Sequence, residues 1–63
     1  MTQQQQLIKE IEYSNEIIIK LEKLIDWTSP NLVRNYILIE AIKILDMDVK
    51  YYNKCLEKLI KQQ

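Results

Sequence analysis

The sequence contains no glycine and no histidine, and its single cysteine is Cys55. A chain without glycine has neither a phosphate-cradling loop nor the tight hairpin turn that glycine permits. One cysteine without any histidine excludes a disulfide framework, the usual zinc-ligand spacing and a nucleophile paired with a histidine base. We therefore expect a protein that is not an enzyme and that binds neither a metal ion nor a cofactor.

An excess of charge and a long apolar run are also absent. The nine basic and nine acidic side chains cancel, so the net charge favours no nucleic acid, membrane or polyanion as a partner. The longest apolar runs, residues 17–19 and 36–39, are far too short to cross a bilayer. Residues 1–6 lack the basic and then apolar layout of a signal peptide. The sequence predicts a soluble, cytoplasmic protein.

The only proline, Pro30, divides the chain. Ser29 before it can cap a helix with its side-chain oxygen. Proline suits the first helical position, because its fixed φ fits a turn that needs no N–H donor there. This pattern predicts that one helix ends near Trp27 and that the next begins at Pro30.

Residues on both sides of this corner are apolar at helical spacing. We therefore predict an all-α fold, an antiparallel two-helix hairpin with helices at about residues 4–26 and 30–61. The chain is short enough to form one domain, residues 1–63, and we expect residues 1–5 to be frayed.

One apolar line on each predicted helix follows the alternating three- and four-residue steps of a coiled-coil core. We call the two lines the main seam and expect them to hold the helices together. In helix 1 the small residue Ser14 interrupts the line and allows the helices to approach closely. The main seam comprises Gln4, Leu7, Ile11, Ser14, Ile18, Leu21 and Ile25 in helix 1, and Leu38, Ile42, Leu45, Val49, Tyr52, Leu56 and Leu59 in helix 2.

A second apolar line lies beside the main seam on each helix, and we call these two lines the second stripe. It comprises Tyr13, Ile17, Leu24 and Trp27, and Val33, Ile37, Ile44, Met47 and Tyr51. A helix that is apolar on two sides needs neighbours on both, and the hairpin partner covers only one. We expect the second stripe to be the interface of a homo-oligomer, most simply a dimer of hairpins forming a four-helix bundle, or the binding surface for a protein target.

Two other folds remain open for the second half of the chain. Residues 36–44 are rich in β-branched side chains and could form a strand, although no tight turn is available to pair it. An aspartate within residues 46–48 could cap a third helix and give a three-helix bundle. We favour one continuous helix, because the main seam passes this point without a change of phase. Such a helix would outrun helix 1, and its surplus end would project with Leu56, Leu59 and Ile60.

Four lysines near the end of the chain could contact an anion or a nucleic acid. They are Lys50, Lys54, Lys58 and Lys61. In an antiparallel hairpin they lie near the acidic first helix, which includes Glu10, Glu12 and Glu16, so mutual neutralisation is expected. Nucleic-acid binding is therefore the alternative and not the main prediction.

A dimerising two-helix hairpin of this length resembles the plasmid Rop-type RNA-binding hairpin, and the Cys55-Leu56 pair late in helix 2 is similar to that family. The resemblance implies a four-helix dimer that binds RNA. The basic and aromatic surface of that family has no residue-by-residue counterpart here, and the net charge is zero. The sequence therefore assigns the chain to no family.

From these features we predict a small, non-enzymatic helical module for protein–protein interaction. It would self-associate and act as a regulator, inhibitor or adaptor, of the kind that often comes from phages and plasmids. The alternative is a Rop-like nucleic-acid-binding hairpin dimer that uses the four C-terminal lysines.

Overall fold

The computed structural model describes residues 2–29 and 31–62 as two helices and a connecting loop. Helix α1 is Gln3–Leu24 and helix α2 is Val33–Lys61, and the two pack against each other along their lengths. The molecule measures 49 × 17 × 12 Å, which is one layer of two helices. Within the described ranges no residue forms a strand. The predicted all-α hairpin is confirmed, and the alternative strand is wrong.

Helix α1 begins at a capping box. The Thr2 hydroxyl accepts a hydrogen bond from the Gln5 N–H (3.1 Å), and the Gln5 side-chain oxygen accepts one from the Thr2 N–H (3.0 Å). Each side chain satisfies a backbone donor that the first helical turn leaves free. The structure therefore places Gln3 to Gln5 within α1. The predicted fraying of residues 1–5 concerns motion and stays a prediction, and Met1 lies outside the described residues.

Helix α2 begins later than predicted. Its N-cap residue is Leu32, which makes no side-chain capping hydrogen bond, whereas Ser29 lies in the loop. The prediction that Ser29 caps this helix is wrong, and the role predicted for Pro30 falls outside the described residues. The reason is that the Ser29 carbonyl accepts from the Leu32 N–H (3.3 Å) and from the Asn35 side chain (2.8 Å). These bonds close a turn before the helix starts.

Helix α1 ends two residues earlier than predicted, at Leu24. Ile25 leaves the helix in extended conformation (φ −71°, ψ 129°), and its N–H bonds the Glu22 carbonyl at 3.2 Å. The loop therefore has eight residues, 25–32, between the two helices.

Helix α2 runs without a break through residues 46–48, so the alternative three-helix bundle is wrong. Asp46 does not start a helix; its carboxylate instead pairs with the Lys50 ammonium one turn later at 3.2 Å. This is the favourable acid-before-base order on a solvated helix face. The side-chain oxygen of Asp46 is therefore used on the outside of a continuous helix.

The main seam lies between the helices as predicted. Each of its fourteen residues is buried or half-buried. Ser14, at 6% exposed, is the most buried residue of α1, which agrees with its predicted place at a close approach of the helices. The seam is nevertheless thin, because among the described hydrophobic residues only Ile25, at 8% exposed, is buried and the others are half-buried or exposed. In a single layer of two helices each helix covers only one side of the other, so most seam residues stay partly open to solvent.

The expected projecting end of α2 is smaller than predicted. Leu56 and Leu59 are half-buried, and of the three residues named for this end only Ile60 is exposed. The difference follows from the helix bounds. Because α2 starts at Val33 and α1 at Gln3, the arms differ by less than the sequence suggested.

Candidate interaction surface

The corner of the hairpin is closed by the side chain of Asn35, from the first turn of α2. Its Oδ1 accepts a hydrogen bond from the Asp26 N–H (3.0 Å), and its Nδ2 donates to the carbonyls of Asp26 and Ser29 (2.8 Å each). Asn35 is 1% exposed, whereas its partners Asp26 and Ser29 are exposed residues, so these bonds are partly shielded from water. Because a buried amide is costly unless it is bonded, its three bonds fix the loop to the start of α2.

Asp26 fixes the outer part of the same loop. Its carboxylate accepts hydrogen bonds from the hydroxyl and the backbone N–H (3.0 Å) of Thr28. The Thr28 hydroxyl first, and then backbone N–H groups and the Arg34 charge, hold the pKa of the Asp26 carboxyl below its usual value of 3.8. This turn leaves Trp27 pointing into solvent at 70% exposed.

Sequence reasoning did not find the role of Asn35, although a signal for it exists. Asn35 lies three residues before Leu38, so it continues the three-and-four spacing of the main seam by one step. A polar residue at a core position is a candidate for a buried, bonded group. Extending the seam backwards would therefore have predicted that Asn35 is buried, but only the folded loop supplies its partners.

The second stripe is mostly open to solvent. Eight of its nine residues are at least 50% exposed, and Ile17 is half-buried. Monomeric soluble proteins rarely expose contiguous apolar patches of this kind unless they serve binding. The second stripe is therefore the strongest candidate for an interaction surface.

The two helices present their parts of the second stripe on the same face of the hairpin. Each residue of a helix is rotated by about 100° from the one before, and here Ile17 directly precedes Ile18 of the seam, as Ile44 precedes Leu45. Because both helices are right-handed and run in opposite directions, side chains displaced the same way from the seam share a face. We call this the stripe face.

Trp27 does not lie with the rest of the second stripe. It lines a groove with Glu22, Ile25, Ile39, Ile42 and Lys43, which we call the Trp27 groove. Ile39 follows Ile37 by two residues, so their side chains point about 160° apart. The groove therefore lies on the opposite side of α2 from Ile37, because the loop carries Trp27 out of the helical register on which its prediction rested.

The four lysines lie on the outer side of α2, and all four are exposed. Lys50 is engaged by Asp46 at 3.2 Å, which reduces its attraction for an external anion. Lys54 lies nine residues before the end of the chain and shares this outer side with Lys58 and Lys61 at helical spacing. The structure brings the lysines together in a row, away from the main seam.

Two tyrosines and the cysteine form a small cluster on α2 near the end of the stripe face. The rings of Tyr51 and Tyr52 meet edge to face, with centroids 6.0 Å apart. The half-buried Cys55 lies one turn after Tyr51, and its hydrogen bond and charge raise the pKa of the Tyr51 hydroxyl above its usual 10.0. The cluster extends the apolar surface past Met47.

Neither described helix is long and apolar enough to cross a membrane. In the part of the chain that the structure describes, no group of three or more cysteine and acidic side chains is placed to hold a metal ion. No family model, no curated protein and no solved structure matches this chain.

Proposed function

We propose that the protein is a non-enzymatic interaction module of the cytoplasm, which acts by burying its stripe face against another helical surface. The carrying observation is the exposure of Tyr13, Ile37, Ile44, Met47 and Tyr51, each more than half open to solvent. In this proposal the main seam forms the scaffold, and the stripe face binds. A regulator, inhibitor or adaptor needs nothing more than such a surface.

The thin core supports this proposal. Only Ile25 among the described hydrophobic residues is buried, although 48% of the chain is hydrophobic. Domains of this size usually need an additional source of stability, such as a disulfide, a metal or a partner chain. A partner on the stripe face would supply that stability and at the same time carry out the function.

A photo-reactive amino acid at position 44 tests the proposal directly. Asn53 is the matched control position, because it is exposed and lies nine residues from Ile44, about 180° around the helix. We expect irradiation of cells that express the two proteins to give cross-linked products from position 44 and few from position 53. Equal products from both positions, or none from position 44, would exclude the stripe face as a binding surface.

A second candidate function is nucleic-acid binding through the lysine row, which the exposure of Lys54, Lys58 and Lys61 supports. Such binding would weaken steeply as salt is raised, since it depends on phosphate contacts and counterion release. A titration against RNA and DNA at low and moderate salt tests it. Replacing these three lysines by glutamine should then abolish binding, and unchanged binding by that variant would exclude the row.

A further inference from the structure

We propose that the partner of the stripe face is a second copy of this chain, packed face to face in a symmetric dimer held together by Lys20 and Asp48. The inference depends on the proposed function, because it names the surface that the stripe face binds. Two observations support it: the exposed area, and the charges within the stripe together with their height along the hairpin.

The exposed area of the chain exceeds that of a compact monomer by the amount a dimer would bury. The chain exposes 5212 Å², whereas a folded monomer of 7.6 kDa typically exposes about 4,300 Å². The excess of about 900 Å² per chain is close to the roughly 800 Å² that each partner contributes to a stable protein–protein interface. One further layer of the same width and length would cover it.

Two charges of opposite sign lie at helical spacing within the stripe, one in each half, and neither is used within the described part of the chain. Lys20 lies three residues after Ile17 and four before Leu24, and Asp48 lies four residues after Ile44 and three before Tyr51. Both side chains are exposed, and within the described residues neither forms an ion pair. A third charge, Glu40, lies three residues after Ile37 and four before Ile44, but it is already paired with Lys43 at 3.3 Å. A surface with one unpaired acid and one unpaired base among apolar residues complements itself.

The two charges lie near the middle of the stripe. The Trp27 groove is lined by Glu22 and Ile25 from one arm and by Ile39 and Ile42 from the other, so the two arms are level where residue numbers sum to about 64. Lys20 is therefore level with Ile44, about 6 Å along the axis from Asp48 at 1.5 Å per residue. A two-fold axis through this region brings Lys20 of each copy close to Asp48 of the other.

In a two-fold symmetric dimer the contact between Lys20 of one copy and Asp48 of the other occurs twice. A Lys20→Glu variant would place two glutamates against two aspartates, and an Asp48→Lys variant would place lysines against lysines. Mixing the two variants removes every repulsion, because one contact becomes the original pair and the other becomes its reversal. A pair formed inside one chain would gain nothing from mixing.

Light scattering coupled to size exclusion tests the proposal on the full chain. We expect the wild type to have twice the chain mass of 7.6 kDa, each single variant to fall to one chain mass, and an equimolar mixture to return to two. Circular dichroism checks that the variants remain helical. A helical wild type of one chain mass, single variants that dimerise like the wild type, or a mixture that stays monomeric would each overturn the proposal.

Two further readouts keep the outcome interpretable if a charge variant fails to fold. Ile44→Glu should give one chain mass, whereas Asn53→Glu, which adds the same charge on the opposite side, should keep two. Trp27 lies outside the stripe face, so its fluorescence emission should not shift when the dimer is diluted into monomers. A dimer that Ile44→Glu leaves intact, or a clear emission shift, would contradict the arrangement.

The cross-linking experiment separates failure of this inference from failure of the proposed function. Products from position 44 that contain another protein, with a monomeric purified chain, would retain the interaction module and remove the second copy as its partner. Absence of any product from position 44 would remove the proposed function itself.

Discussion

The corner of the hairpin and its two arms are built from the same kinds of residue but exclude water to different degrees. At the corner, Ile25 and Asn35 are buried, where the loop is bonded to the start of α2 through the Asn35 side chain. Along the arms, seam residues such as Leu45 and Ile18 stay half-buried. Among the described residues in the middle of the arms, only the small Ser14 is buried, at 6% exposed. The comparison teaches that two helices alone can bury a small side chain, whereas the one buried large apolar side chain of the described residues, Ile25, lies in the loop at the corner.

The largest expected effect comes from a charge in the seam of the arms. Leu45 is half-buried, so Leu45→Glu removes part of the roughly 1.5–3 kcal/mol that full burial of a leucine supplies, and it forces a carboxylate towards the core. A domain of this size has only about 3–5 kcal/mol of stability from its core, so we expect the variant to lose its helical circular dichroism signal. Ile44→Glu, one residue earlier on the stripe face, is the control and should keep most of its helix. Equal loss of helix in both variants would mean that the two faces are wrongly divided.

A smaller effect is expected at the corner from Asn35→Ala. The Asp26 and Ser29 carbonyls would each keep a backbone donor, from the Ser29 and Leu32 N–H groups, but the Asp26 N–H would lose its partner. Because this bond is only partly buried, we expect a cost towards the low end of the roughly 1–3 kcal/mol of an unsatisfied buried group.

Urea unfolding measures this loss, with Asn31→Ala in the same loop as the control, because Asn31 is exposed. We also expect faster hydrogen exchange of the Asp26 amide in Asn35→Ala. Similar unfolding midpoints for the two variants would show that burial of Asn35 does not stabilise the corner.

At the open end of the arms, Thr2→Ala should have a modest effect. It removes the hydroxyl that accepts from the Gln5 N–H, and loss of such an N-cap typically costs about 1 kcal/mol. A lower thermal unfolding midpoint for Thr2→Ala than for the control Gln3→Ala is expected. If the two midpoints coincide, the end of α1 is already frayed in solution, as the sequence predicted for residues 1–5.

The smallest expected effect is the loss of stability in acid when the exposed carboxylate of Asp26, at the corner, is protonated. The pKa of Asp26 is lowered below 3.8 in the folded chain by its bonds to Thr28, so ionised Asp26 stabilises the fold above the unfolded pKa. That contribution is lost as the pH falls through the folded pKa.

The difference in stability between wild type and Asp26→Asn should therefore shrink between about pH 6 and about pH 3. An NMR titration of the Asp26 carboxyl gives the pKa itself. A pKa at or above 3.8 would show that the Thr28 bonds do not hold in solution.

Much of the fold follows from residue spacing. The main seam, with Ser14 at its centre, could be located because helical periodicity fixes which residues share a side, and the same periodicity carried α2 through residues 46–48. The local signal at Ser29 and Pro30 misled the prediction of where α2 begins. The Ser29 side chain is of a type that can cap a helix, but the hydrogen bond from Asn35 to the Ser29 carbonyl holds Ser29 in the loop before the helix begins.

The sequence predicted most of the residues that form the candidate surface, but it included one residue, Trp27, that lies elsewhere. Periodicity placed Trp27 with Leu24 on the second stripe, which holds only while the helix continues. Since α1 ends at Leu24, the loop takes Trp27 to the other side, beside Ile39. Neither the end of a helix nor the path of a loop is encoded in spacing alone.

By itself, the sequence determined two amphipathic helices, a corner between them and a surplus of apolar side chains, because these depend on local spacing and composition. Only the tertiary structure decided that Asn35 closes the corner, that Trp27 leaves the stripe and that both helices present the stripe on one face. Those features depend on which groups distant in sequence come into contact, and these contacts form only when the two helices pack and the loop bonds to the start of α2.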